Sequence, residues 1–91
     1  NELLISLLDF YKEHSGFYLA LYRAGLSDML LQTLLEQSEI TPELPNALAY
    51  LKSSIAYMLY GWIVEWMKRG MPESGTELAR MIAEAQKANV G

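Results

Sequence analysis

The side chains able to carry chemistry are few and dispersed. The chain has one histidine, His14, and no cysteine, which excludes a thiolate zinc site, a cysteine nucleophile and a disulfide framework. His14 falls on the apolar side of its helix, where neither a metal site nor a triad can be assembled around it; a hydrogen-bonded helix-end residue is the better reading. The sequence contains no HExxH, P-loop, GxSxG or dinucleotide-type glycine pattern. Acidic residues are spread over exposed faces, and Glu65 and Arg69, four apart, read as a solvated pair. A small all-helical enzyme of the chorismate-mutase type needs several cations converging on a dianion, and Arg23, Arg69 and Arg80 are too scattered for that. No enzymatic activity, metal or cofactor is expected.

The aromatic side chains are more suggestive. Six tyrosines, two phenylalanines and two tryptophans are present, although pure core filling favours Leu and Phe because buried hydroxyl and indole groups need partners. Two readings stay open. A cluster of Tyr, Trp and Met can line a pocket for an apolar or aromatic small molecule. Alternatively, these residues lie half exposed or at an interface, where Tyr and Trp are enriched. Gly61 stands mid-helix and costs about 1 kcal/mol relative to alanine, which close approach of another helix or a ligand would explain.

Five helices are needed to position these residues. Leu, Ala and Met outnumber Val, Ile and Thr by 30 to 10, which favours an all-α chain. The periodicity predicts helices over 2–14, 17–24, 28–37, 46–69 and 75–88. Ser15-Gly16 should end the first with Gly16 in a left-handed cap, Gly25 should close the second, and Ser27 should cap the third. Pro42 and Pro45 mark 38–46 as a connector. Gly70 and Pro72 end the fourth helix, and Ser74-Gly75-Thr76-Glu77 reads as a capping box opening the fifth.

The fourth helix carries two adjacent apolar faces. Leu48, Leu51, Ile55, Met58, Trp62 and Trp66 form one; Ala49, Ala56, Leu59, Tyr60, Ile63 and Met67 form the other. A surface helix needs an apolar stripe only about 100° wide, so this helix must be covered on two sides. One cover is the chain's own core and the other a second subunit, or both belong to a monomeric bundle; the sequence does not say which face is which. The uninterrupted apolar run Ile55–Val64 is half the roughly 20 residues a membrane span needs. A net charge of −4 with only seven basic residues leaves no basic stripe for autonomous nucleic-acid binding. The lack of cysteine accords with a reducing, cytoplasmic compartment.

The stretch YMLYGWIVEWMKRGMPESGTELARMIAE resembles the end of the C-terminal regulatory domain of TetR-type transcriptional regulators. Gly61, Trp66, Gly70, Pro72, Ser74, Glu77, Leu78 and Ala79 fill the places of that pattern. Gly75 departs from it, since family members often have proline there. The segment LLDFYKEHSGFYLALYRAGLSDMLLQTL is similar to the preceding helices more loosely. The resemblance implies one regulatory domain over residues 1–91, cut from a protein whose N-terminal helix-turn-helix precedes Asn1, as the abrupt start inside a helical pattern also suggests. It implies a five-helix antiparallel bundle that binds a small, apolar or aromatic effector and homodimerises through its last two helices as a four-helix bundle, controlling operator affinity. The residues expected at the ligand are Phe17, Tyr18, Tyr22, Met58 and Trp62. Those expected at the dimer interface are Leu59, Ile63, Met67, Leu78, Ala79, Ile82 and Ala83. DNA would be touched only through the N-terminal domain. The alternative is a helical protein–protein adaptor without a small-molecule ligand.

Overall fold

Leu8 and Tyr11 lie on one stripe of the first helix and supply its share of the core, which continues through Leu30, Leu34, Ala56, Ile63, Trp66, Met67 and Met71. The computed structural model describes residues 2–90, with side chains as far as Ala88. Its elements are α1 (Glu2–Glu13), α2 (Ser15–Arg23), α3 (Asp28–Gln37), α4 (Asn46–Lys68) and α5 (Gly75–Val90), with no strand among the described residues. The chain is all-α, with the five expected helices.

Two expected ends differ. Gly16 lies in the first turn of α2 rather than in a left-handed cap. The His14 amide donates to Phe10 O and the Tyr18 amide to His14 O, so helical hydrogen bonding runs almost unbroken from α1 into α2 and leaves no chain reversal for a glycine to serve. Ser27 keeps helical angles and its hydroxyl caps nothing; the α3 amides of Met29 and Leu30 bond instead to Leu26 O and Ser27 O.

The end of α4 is a Schellman turn. Gly70 (φ +86°) and Met71 (φ +53°) are both left-handed, with Met71 N–H donating to Trp66 O at 2.8 Å and Gly70 N–H to Met67 O at 3.0 Å. Met71 tolerates this backbone because its side chain is wholly buried. The Ser74–Glu77 capping box forms as read: Glu77 N–H donates to Ser74 Oγ at 3.1 Å, and Ser74 N–H to Glu77 Oε1 at 3.0 Å.

The turn into α5 decides which helices of the chain meet. A Cβ on Gly75 would collide with Asp9 Oδ1 and lie 2.5 Å from Asp9 N and 2.8 Å from Leu8 C. The first residue of α5 therefore rests directly on the α1 backbone, and Lys12 Nζ donates to Met71 O to hold the turn there. As a result α5 packs along α1, while α4 packs against α2 and α3, and no Cα of α4 comes within 8 Å of one in α5 among the described residues. Tyr60, donating its hydroxyl to Asp28 Oδ1 at 3.3 Å, ties α4 to α3, and Lys52 Nζ, donating to Ser38 O at 3.1 Å, ties it to the end of α3.

Candidate functional site

The structure separates the two apolar faces of α4. Ala56, Ile63 and Met67 of one enter the core, joined there by Trp66 from the end of the other; Leu48, Leu51, Ile55 and Met58 are exposed, and Trp62 beside them is half-buried. Two residues expected at a dimer interface are thereby corrected. Ile63 is 0% and Met67 2% exposed within one chain, so they offer nothing to a second. Leu59, Leu78 and Ala79 are partly buried and pack against the same core. Of the expected interface set, Ile82 is half-buried and Ala83 exposed on α5. The physical reason is symmetry of pattern: adjacent apolar arcs of one helix look alike until the neighbouring helices choose between them.

Because α4 and α5 stand apart, an open apolar groove of about 410 Å³ runs between them, lined by Met58, Trp62, Leu78, Met81, Ile82, Ala85 and Gln86. Toward α1 it continues over Leu3, Leu4, Leu7 and Ile55. Gln86 Nε2 reaches across to Met58 Sδ at 3.9 Å. Near the α4–α5 turn it meets Glu65, Trp66, Arg69 and Glu73. There Arg69 Nε donates to Glu65 Oε2 at 2.8 Å in an exposed pair, which contributes little in solvent. The Trp66 indole N–H is buried without a protein partner among the described residues.

A second recess, of about 190 Å³, lies between α1, α2 and α3 and is lined by Tyr11, Phe17, Tyr18, Leu21, Met29, Leu30 and Thr33. Its aromatic wall is ordered edge to face. The Tyr11 and Tyr18 ring centroids are 4.7 Å apart at 71°, and those of Phe17 and Tyr18 are 5.1 Å apart at 81°. Phe10 adds contacts to Tyr11, to Tyr18 and to the His14 ring, 4.5 Å away. Burial, and then the neighbouring Tyr18 phenol, push the Tyr11 hydroxyl up to about 12; burial raises Tyr18 as well.

The five residues expected at one ligand are thus divided. Phe17 and Tyr18 share the α1–α2–α3 recess, Met58 and Trp62 border the α4–α5 groove, and Tyr22 packs against the core. Tyr11, Met29 and Thr33 were missed. The signal for Tyr11 was available: Tyr11 and Tyr18, seven apart, share a helical face once α1 and α2 are read as nearly continuous.

Among the described residues no group of three or more His, Cys, Asp or Glu side chains could hold a metal ion, and no helix is long and apolar enough to cross a membrane. Residues 1–87 match a TetR-type family model described as a transcriptional regulator C-terminal region. No curated protein and no solved structure gives a match.

Proposed function

The chain belongs to the TetR-type transcriptional regulators as their C-terminal region, and from that premise we propose that it is the non-enzymatic regulatory half of a cytoplasmic DNA-binding protein. It homodimerises through the open faces of α4 and α5, and it answers a small apolar or aromatic effector with a changed affinity for its operator. DNA contact belongs to an N-terminal helix-turn-helix, which accords with the net charge of −4 here.

The observation that carries this reading is the open face itself. Leu48, Leu51, Ile55 and Met58 on α4 and Met81 on α5 are all exposed, and Met58 and Met81 border one groove. Covering such a face gains about 25 cal/mol for each Å² of apolar surface removed from water. In an isologous pair each open face meets its own copy about a two-fold axis, and two α4 and two α5 helices complete a four-helix arrangement. The separation of α4 from α5 leaves room for side chains of the second copy. Gly61, exposed and with nothing within 4 Å of its missing Cβ, brings no side chain to its own part of the α4 surface.

Thermal unfolding tests both halves of the proposal. A dimer that unfolds to monomers has a midpoint that rises with protein concentration, and an effector that prefers the native state raises it further. We expect both in a panel of small apolar and aromatic compounds. A midpoint indifferent to concentration and to every compound would contradict the proposal and return the open face to a protein–protein adaptor.

A further inference from the structure

The recess between α1, α2 and α3 deepens the effector reading above and rests on it. Tyr11 is 4% exposed yet lines this recess, and its hydroxyl has no protein partner among the described residues. Burial desolvates this hydroxyl in part, so a ligand group that pairs with it replaces only the little water it still meets. Thr33, which also lines the recess, donates its Oγ1 proton to Met29 O at 3.0 Å, which leaves its oxygen free to accept. The recess therefore offers a donor and an acceptor against a wall of ring edges and faces.

Charge and size narrow the occupant. No Asp, Glu, Lys, Arg or His lines the recess, so a carboxylate or an ammonium would be desolvated there without a counter-ion. Its volume of about 190 Å³ is below the range of roughly 300–1,000 Å³ that takes drug-sized ligands, yet above the roughly 150 Å³ of an apolar cavity that holds benzene. The Tyr11–Tyr18–Phe17 edge-to-face series can be extended by one more ring. We propose that this recess binds an uncharged, single-ring aromatic molecule bearing a hydrogen-bonding substituent, with the Tyr11 hydroxyl as its polar anchor. Because burial keeps that phenol protonated, it is a donor throughout the neutral range.

The five methionines report on the site by position. Met29 lines the recess, Met58 and Met81 the α4–α5 groove, and Met67 and Met71 the core. Phenol titrated into the chain, isotope-labelled at its methionine methyl groups, should move the Met29 signal saturably and leave Met58 and Met81 in place. Benzoate and benzyltrimethylammonium at equal concentration should leave Met29 where it is. Tyr11→Phe, which keeps the ring, should weaken phenol about threefold to tenfold, the range for one neutral hydrogen bond. Phe17→Ala, at a side chain 64% exposed and so neutral for folding, should weaken it too by removing part of the wall. A still Met29, equal movement with the charged probes, or unchanged affinity in Tyr11→Phe would overturn the inference. Movement of Met58 and Met81 alone would also overturn it, while leaving the broader effector reading standing. The concentration dependence of unfolding is independent of either result.

Discussion

A methyl group at Gly75 would stand 2.5 Å from the Asp9 amide nitrogen and 2.8 Å from the Leu8 carbonyl carbon. These are backbone atoms, so α1 and α5 would have to separate. Gly75→Ala should therefore destabilise by about 1–3 kcal/mol, as overpacking does. Gly61→Ala should do the reverse, raising stability by about 0.5–1 kcal/mol, because nothing lies within 4 Å of that site and alanine is the better helix former. Urea midpoints of the two variants check the contrast; a shared sign would contradict the placement of α5 on α1. Glycine at both positions was plain in the sequence, but which one was crowded was not. The sequence pointed to Gly61 because mid-helix glycine is costly, whereas the neighbour that makes Gly75 necessary comes from the far end of the chain.

Tyr11 gives a second prediction at this scale. Its ordinary value is 10.0 and its folded value is about 12, so between these limits the folded chain keeps a proton that the unfolded chain loses. Stability from this group is complete below pH 10 and falls as the pH rises toward 12. The raised value of Tyr18 acts in the same direction. Tyr11→Phe should flatten the alkaline fall, read as urea midpoint against pH.

At the scale of elements, the α4–α5 turn was the most legible part of the chain. Its Schellman residues and capping box are local, and local chemistry is what a sequence displays. Ser74→Ala should cost about 1 kcal/mol. Glu77 is held below the ordinary carboxylate range, first by the Ser74 backbone N–H and then by the Ser74 hydroxyl. Its contribution is present above that range and disappears as the pH falls through the folded value. The acid limb of the stability profile should therefore be shallower in Glu77→Gln than in the unmutated chain. The faces of α4 were less legible. Ile55 and Ile63 both sat in apolar stripes, yet Ile63 is sealed in the core and Ile55 lies open, a choice made by α2 and α3 rather than by anything within α4. Ile63→Glu should accordingly unfold the chain by burying an unpaired charge, with helical circular dichroism lost. Ile55→Glu should leave that signal intact.

For the whole molecule, α5 rides on α1 while α4 rests on α2 and α3, and the space between these two groups is the apolar groove. The antiparallel bundle expected from the sequence did not say which helices of one chain would meet; the tight seat of Gly75 on α1 and the Lys12 bond to the turn set α5 against α1. The proposed dimer follows from what that separation exposes, and it is the central claim of the functional account. Sedimentation equilibrium of the unmutated chain at micromolar concentration tests it most directly, with Ile55→Glu and Met81→Glu run alongside as folded controls. The account predicts a species of twice the 10.3 kDa chain mass that falls to monomer in both variants; a single species near 10.3 kDa in the unmutated chain, with helical circular dichroism intact, would contradict it.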